Sequence, residues 1–254
     1  MKGGLALAIL VVFLLAAEGS AGPKAAATPP RPNIVVIETD DQTLAEMEVL
    51  PNVRHLIGDE GVSFDENFDS FSLCCPSRAS FLTGQYSHNN GVRGNALPEG
   101  GFEKLDGTNT LAVWLQRSGY YTAHLGKYLN GYGRRNPLEI PPGWSEWRGS
   151  VDPSTYRYYN YTLNENGVLT TYCATPEPFC YQTDLYRDKA DEIIRRRAVG
   201  GPFFLWVAFL ADHAGNPRDP DDPPNLATPV PAPRYKDRFA STPLPQPPMS
   251  MQAA

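Results

Sequence analysis

Residues 33–41 read NIVVIETDD, a run of β-branched apolar residues that ends in two adjacent aspartates. Uninterrupted apolar runs of this length are typical of strands buried on both faces of a parallel sheet. A second run of the same character, FFLWVAFL, covers 203–210, and a shorter run with two polar residues, YYTAHL at 120–125, is a further predicted strand. The three runs predict the central strands of a mostly parallel sheet.

Segments with helical character separate these runs. An apolar face at helical spacing, Pro in a first turn and Gly after a last turn are the signals that identify them. The predicted helices cover 43–61, 76–82, 110–118 and 184–197, and a further strand is predicted at 156–162. Alternation of strands and helices predicts an α/β fold in which helices flank the sheet.

Polar residues follow each of the three apolar runs. Asp40 and Asp41 follow the first, Lys127 follows the second, and His213 follows the third. The carboxyl ends of parallel strands meet at one edge of a sheet, where binding sites of α/β folds form. We therefore expect these four side chains to lie close together.

Composition limits the classes of function. The chain has 254 residues, of which 41% are hydrophobic and 20% charged, so it can bury a sizeable core in one large domain or two small ones. Lys and Arg number 22 against 28 Asp and Glu, which gives a net charge of −6. A weakly acidic chain without a basic stripe argues against nucleic acid as a partner.

The first segment has the pattern of a targeting signal. Residues 5–17 read LALAILVVFLLAA after a Lys, a run too short to span a bilayer but normal for a signal-peptide core. We predict a signal peptide at 1–21, a linker at 22–32, a domain at 33–213 and a Pro-rich loop or tail at 214–254. The mature chain is expected outside the cytoplasm, with no stable membrane span; a retained membrane anchor is the alternative.

Export changes the interpretation of the four cysteines. Cys173 and Cys180 are separated by a loop-like stretch, and in an oxidising compartment we expect them to form a disulfide. Cys74 and Cys75 are adjacent, and a bond between neighbours is strained. This second pair needs another explanation.

The stretch that contains the adjacent pair, 73–84, reads LCCPSRASFLTG. If a helix begins near its proline, Cys74 lies at the N-terminal edge, where backbone N–H groups favour negative charge. Arg78 lies four residues later on the same helical face. The pattern indicates a small anion site with a reactive side chain. A buried structural cysteine beside a capped helix is the alternative.

This stretch resembles the signature of the formylglycine-dependent sulfatase family, in which Cys-x-Pro-Ser-Arg is followed by Leu-Thr-Gly. The resemblance implies an alkaline-phosphatase-like α/β domain. It also implies that a maturation enzyme oxidises Cys74 to Cα-formylglycine (3-oxoalanine), with Cys75 in the variable position. The hydrated aldehyde attacks sulfur, the alcohol leaves, and the second hydroxyl expels sulfate as the aldehyde re-forms.

The same resemblance implies roles for the remaining candidates. Asp40 and Asp41, together with the modified Cys74, would hold Ca²⁺ or Mg²⁺. Lys127 would bind the sulfate, and His213 would contact it and protonate the leaving oxygen. Further substrate contacts are expected from two residues, His88 and Asn130. Without the resemblance, an Asp pair after a strand is equally compatible with a turn or a helix cap.

Three strings are similar to the glucosamine-6-sulfatase branch of that family: 74–78, 126–130 and 158–163. This finer resemblance implies a sulfated sugar such as N-acetylglucosamine-6-sulfate as substrate. Family members carry a second metal pair and a further lysine downstream, which this sequence lacks. We therefore expect an incomplete domain that is weakly active or inactive alone, unless another chain supplies the rest. The alternatives are a phosphate or phosphonate ester hydrolase and a non-catalytic module that binds sulfated glycans.

Overall fold

A six-stranded sheet forms the centre of the computed structural model, which describes residues 31–174, 180–218 and 221–243. The predicted signal peptide, most of the predicted linker and the last eleven residues lie outside the described residues. The strands are β1 (Ile34–Glu38), β2 (Tyr121–Gly126), β3 (Glu146–Ser150), β4 (Tyr161–Glu165), β5 (Val168–Tyr172) and β6 (Phe203–Ala208). Their order in the sheet is β1-β6-β2-β3-β4-β5.

The first four strands of that order are parallel, and β4 and β5 form an antiparallel extension. Strand β6 lies between β1 and β2, and all six of its residues are buried. This burial explains why its sequence is an unbroken apolar run. The predicted α/β fold with a mostly parallel sheet is confirmed.

Helices cover both faces of the sheet. The described helices are α1 (Pro51–Val53), α2 (Cys74–Thr83), α3 (Ser87–Asn90), α4 (Leu111–Arg117) and α5 (Gln182–Arg197), of which α1 has no buried residue. On one face, α2 and α4 pack with Trp147, Trp206 and other aromatic side chains. On the other face, α5 packs through Tyr186 and Ile193 against β2, β4 and β6.

Helix α2 ends as its sequence predicts. Gly84 adopts a left-handed φ of 64°, and its N–H donates to the Ser80 carbonyl. Only glycine enters this conformation without steric cost, so the residue stops the helix.

Two of the predicted elements are wrong. The segment 43–61 is not one helix: a 3₁₀ helix at Leu44–Val49 is followed by α1 and by a π-helical turn at Arg54–Gly58. Pro51 has no N–H to continue the hydrogen-bond ladder, which accounts for the break. The strand expected at 156–162 begins only at Tyr161, because the chain before it forms a 3₁₀ turn at Ser154–Tyr156.

The Pro-rich segment after 214 packs on the domain where the structure describes it. Ala232 is buried, and the Tyr181 hydroxyl donates to the Val230 carbonyl at 2.8 Å. Arg234 donates two hydrogen bonds of 2.7 Å to the two carboxylate oxygens of Asp184 in α5. A short 3₁₀ turn covers Pro233–Tyr235, and the described part of this segment contains no strand. Among the described residues, no helix is long and apolar enough to cross a membrane.

The Arg234–Asp184 pair can be tested by replacing Asp184 with Asn. The substitution removes a bidentate, charge-assisted contact whose acid is only 12% exposed. Because the arginine is partly exposed, we expect the free energy of unfolding to fall by about 1 kcal/mol. Trypsin should also cleave faster after Arg234. Asp188→Asn on the same helix, whose carboxylate is 65% exposed, is the matched control; equal effects of the two variants would contradict the proposed anchoring.

Candidate active site at the carboxyl ends of the parallel strands

Three neighbouring strands deliver the predicted polar residues to one edge of the sheet. Backbone hydrogen bonds fix the loops after these strands: the Asp40 N–H donates to the Ala211 carbonyl, and the Asp212 N–H donates to the Asp40 carbonyl. The Lys127 N–H donates to the Ala208 carbonyl at 2.9 Å. The expected convergence of Asp40, Lys127 and the segment before His213 is therefore present.

Arg78 connects helix α2 to this edge. Its guanidinium is 1% exposed, donates to the Lys127 carbonyl at 2.8 Å, and lies 3.1 Å from a carboxylate oxygen of Glu38. It is also 3.8 Å from Asp40 Oδ1. A buried cation of this size requires such partners, since desolvation without them is costly.

Lys127 and Asp40 form a second buried ion pair. The lysine Nζ donates to Asp40 Oδ2, and both residues are nearly inaccessible to solvent. Burial raises the pKa of Glu38, against the charge of Arg78. The floor of the site thus holds cationic and carboxylate groups in close contact.

Cys74 is the first residue of α2 and is half-buried. Potential ligand atoms of Cys74, Asp40 and His213 lie within 4.8 Å of one another. A cleft of about 280 Å³ opens beside them and is lined by Asp40, Asp41, Cys74 and Arg78 among other residues. The expectation that position 74 lies beside Asp40 as a metal ligand is consistent with this geometry.

The imidazole of His213 is oriented by its own backbone neighbour. Nδ1 lies 2.7 Å from the Ala214 carbonyl oxygen, which can only accept, so Nδ1 carries a proton. Nε2 lies 3.6 Å from Asp41 Oδ2. A hydrogen bond with the Cys74 side chain, opposed by burial, raises the pKa of His213. The ring therefore keeps its second proton to higher pH than an isolated histidine.

The adjacent Cys75 has a different environment. It is fully buried, its Sγ accepts a hydrogen bond from the Asn130 N–H at 3.0 Å, and its own N–H donates to Asn95 Oδ1 at 3.0 Å. Burial raises the pKa of the Cys75 thiol to about 12. Cys75 is therefore a neutral structural thiol beside an accessible Cys74.

Tyr156 is a site residue that sequence reasoning missed. Its ring lies 4.9 Å from Lys127 Nζ and 5.2 Å from the ring of His213. Its hydroxyl accepts a hydrogen bond of 2.6 Å from Asn130 Nδ2. The only signal in the sequence was the aromatic richness of the surrounding segment, which does not distinguish a core residue from a site residue.

Two further candidates, Asn130 and His88, do not line the cleft beside Cys74. Asn130, expected to contact substrate, bonds to Cys75 and Tyr156. His88 is exposed and stacks on Tyr86 with ring centroids 5.7 Å apart, and it is not among the residues lining the cleft beside Cys74. Its substrate contact stays a prediction that this position does not support.

Asp212 precedes His213 and faces Glu46. Burial, followed by the charge of Glu46, raises the pKa of Asp212 to about 6. The carboxyl group therefore binds its proton more tightly than a solvated aspartate does.

The disulfide expected between Cys173 and Cys180 is absent from the structure, which holds both as free thiols. Cys173 Sγ lies 2.6 Å from the Cys180 carbonyl oxygen, so the two residues are neighbours. The bond itself stays a prediction.

The donor chemistry of the site fits a hard divalent cation in part. Asp40 and Asp41 both line the cleft with carboxylate groups, which Ca²⁺ and Mg²⁺ prefer, whereas a Cys74 thiol does not suit these ions. Of the two aspartates, Asp40 is the one whose oxygen lies within 4.8 Å of ligand atoms of Cys74 and His213. An oxygen-bearing group at position 74 would make the set chemically uniform. Ca²⁺ takes about six to eight oxygen ligands, so these residues form only one part of a full shell.

The chain is similar to known proteins in sequence and in fold. The family model described as Sulfatase matches residues 32–243. The chain is 38% identical over 195 residues to the human N-acetylglucosamine-6-sulfatase, a match that covers 72% of this chain and 35% of the relative. It is 33% identical over 252 residues to an arylsulfatase of Volvox carteri, covering 93% of this chain and 38% of the relative.

Solved structures share the fold at lower identity. Ps i-CgsB has a TM-score of 0.60 and 23% identity, with coverage of 76% of this chain and 47% of that structure. The Bacteroides fragilis sulfatase yidJ has a TM-score of 0.62 and 20% identity, with coverage of 87% and 50%. The chain thus spans about a third of the length of the curated relatives named above and half of these structures.

The contrast between the two adjacent cysteines gives a prediction for the unmodified protein. At pH 8, well below the pKa of about 12 of Cys75, iodoacetamide should alkylate Cys74 and leave Cys75 as the protected thiol. Tandem mass spectrometry of the tryptic peptide 55–78 locates the label. Denatured protein, in which both cysteines should react, is the control, and equal labelling in the native state would show that Cys75 is not buried as described.

Proposed function

The chain belongs to the sulfatase family, and we propose that the protein hydrolyses sulfate esters of a sulfated sugar, with Cys74 as the position of the nucleophile. One observation carries the proposal: Cys74, Asp40 and His213 meet within 4.8 Å at the strand ends, next to the buried cations Lys127 and Arg78. The names of the relatives support the sugar as the substrate class.

Recognition of the sulfate group would use the fixed charges of the floor. Lys127 lies against Asp40, Arg78 lies near Asp40, and position 74 begins the ten-residue helix α2. The N-terminal end of a helix and two preorganised cations stabilise negative charge where it develops in the transition state. Because these groups are held by protein contacts, they need little reorganisation when substrate binds.

A formylglycine at position 74 would supply an oxygen nucleophile and a route for sulfate release that a plain hydroxyl lacks. This modification requires a maturation enzyme as a partner. The structure favours position 74 over position 75, since Cys74 borders the cleft while Cys75 is fully buried. Arg78 and Asp40 hold the surrounding backbone ends in place.

A divalent cation held by Asp40 and Asp41, when bound, would neutralise charge on the sulfate oxygens. Ca²⁺ and Mg²⁺ are the ions whose preference for oxygen matches these ligands. Asp41 adopts a left-handed φ of 66°, a conformation that Asp tolerates better than most residues.

His213 is the proposed general acid. Its Nδ1–H is fixed on the Ala214 carbonyl, so Nε2 is the atom that can transfer a proton to the leaving alcohol oxygen. A hydrogen bond with the Cys74 side chain raises the pKa of His213, which favours the protonated ring. The positive charge of Lys127, whose Nζ lies 4.9 Å from the Tyr156 ring, opposes that protonation.

Extracellular location is proposed on two grounds. The N-terminal residues have the composition of a signal peptide. One relative, 38% identical over 196 residues, is named an extracellular sulfatase homologue of Caenorhabditis elegans. The substrate would then be a sulfated saccharide of the cell exterior.

The nucleophile can be tested by sulfate release and by the mass of peptide 55–78 from protein made with its maturation system. We expect an aldehyde at position 74 and sulfate release from N-acetylglucosamine-6-sulfate. Cys74→Ala should lower turnover by about a thousandfold or more, because the covalent step is lost. Cys75→Ala is the matched control and should retain the aldehyde. An unmodified thiol in active wild-type protein would sink the proposal, and turnover of an aryl phosphate with no turnover of the aryl sulfate would favour a phosphoester hydrolase.

Metal dependence gives a separate prediction. Chelation should abolish sulfate release, and added Ca²⁺ should restore it. Asp41→Asn removes one hard ligand, so half-maximal activity should require about tenfold or more Ca²⁺. Asp188→Asn, on the exposed face of α5, should leave the Ca²⁺ requirement unchanged. Full activity in chelator, or the same shift in both variants, would contradict metal binding at Asp41.

A further inference from the structure

We propose that the open edge of strand β1, together with the segment 44–73 that follows it, binds a separate, basic polypeptide that adds a strand to the sheet. We call this surface the β1 face. It lies outside the chemistry of sulfate release, and the inference does not depend on that activity.

Strand β1 lies at one end of the sheet and, among the described strands, pairs with β6 alone. An edge strand of this kind presents a row of N–H and C=O groups to which a further strand can bind. Ile34 and Val36 pack with the core on the α2 side of the sheet. Val35 and Ile37 point to the opposite side, where they are 41% and 58% exposed. The strand therefore has the apolar composition of an interior strand but only one neighbour.

The segment between β1 and α2 exposes its large apolar side chains instead of burying them. Its three short helical elements contain no buried residue. Half of the exposed large apolar side chains among the described residues lie in the single stretch 35–73. Such a concentration marks an interaction surface, whereas single exposed apolar residues are normal. The side chains of this segment that are more than half exposed are Leu44, Leu56, Ile57, Val62, Phe64 and Phe68.

Both ends of the segment lie beside the carboxyl end of β1. Gln42, just before the segment, and Asp69, near its end, line the same cleft as Glu38, the last residue of β1. The strand edge and the segment are thus neighbours at this end of the sheet, and one partner can contact both.

The segment also holds the net charge of the molecule. Residues 44–73 contain seven acidic residues and one arginine, a net charge of −6 that equals the formal net charge of all 254 residues. Within the described structure, the ion pair that these acids form is that of Asp59 with His55, and both side chains are exposed. Acids so little neutralised by their own chain complement a basic partner, because opposite charges steer association and select the partner.

The same charge argues against a second copy of this chain as the partner, since two copies of the β1 face would bring like charges together. A strand from a basic polypeptide would instead pair with the backbone of β1 and cover Val35 and Ile37 with its own apolar side chains. Its lysine or arginine residues would lie near the acids of 44–73. In strand addition, main-chain hydrogen bonds provide affinity and side chains provide specificity.

The probes are two fluorescent synthetic peptides of about nine residues, long enough to pair with all of β1, in which valine alternates with lysine or with glutamate. Fluorescence anisotropy with the full chain measures their dissociation constants. We expect the lysine peptide to bind about tenfold more tightly than the glutamate peptide, and about 0.5 M NaCl to remove most of this difference. A lysine peptide with N-methylated backbone amides, which cannot donate the ladder hydrogen bonds, should not bind.

The location is tested by Ile37→Lys, which places a positive charge at the exposed edge and should weaken binding of the lysine peptide about tenfold. Val168→Lys is the matched control, because Val168 is 64% exposed on β5 at the opposite end of the sheet. This variant should bind the peptide as the wild-type protein does. In the wild-type protein, the lysine peptide should slow amide hydrogen exchange in β1 and leave β5 unchanged.

Several results would overturn the inference. Equal affinity for the lysine and glutamate peptides, binding of the N-methylated peptide, or protection of β5 in place of β1 would each do so. A wild-type dimer in light scattering that Ile37→Lys converts to a monomer would show that a second copy occupies the β1 face. Slow exchange of the β1 amides in a monomer without peptide would show that the chain itself covers this edge, which also contradicts the proposed partner.

Discussion

The buried guanidinium of Arg78 is the contact on which the arrangement of the site depends. It belongs to α2, yet its partners are Glu38 and Asp40 at the end of β1 and the carbonyl of Lys127 at the end of β2. One planar, permanently charged group with several donors can join three backbone segments at once, which a lysine could not do as well. The position of Cys74 relative to the strand ends therefore follows from a residue four places along the same helix.

The parts of the fold that could be predicted are those in which residues close together in the sequence determine the local structure. The strand at 203–210 was recognisable since burial on both faces demands an uninterrupted apolar run. The run at 33–39 also forms a strand, but the predicted burial on both faces is wrong there, because β1 lies at the edge of the sheet and leaves Val35 and Ile37 exposed. Helix α2 was recognisable from Pro76 and Gly84, which act within one turn of the chain. The prediction of one helix at 43–61 was wrong. The apolar spacing of this segment suggested a single helix, but none of the residues in its three short helical elements is buried.

The candidate site, like the fold, could be predicted only in part. Asp40, Lys127 and His213 could be placed together because the rule about carboxyl ends of strands concerns topology alone. Tyr156 could not, since its contacts with Lys127 and His213 come from a loop whose path depends on the antiparallel strands beyond it. The ion pair between Lys127 and Asp40 was also not foreseen, because two residues expected to bind different ligands turn out to bind each other.

The strand order has a consequence for when the site can exist. Strand β6 separates β1 from β2, and Ile34 pairs with Phe204 across almost the whole described domain. The three strand ends cannot meet until the ribosome has made β6, about 130 residues after Cys74. At roughly 5–20 residues per second, that interval lasts on the order of ten seconds during synthesis. Throughout it, position 74 belongs to an open nascent chain, so the topology itself provides a period in which an enzyme can reach this residue before the sheet closes around it.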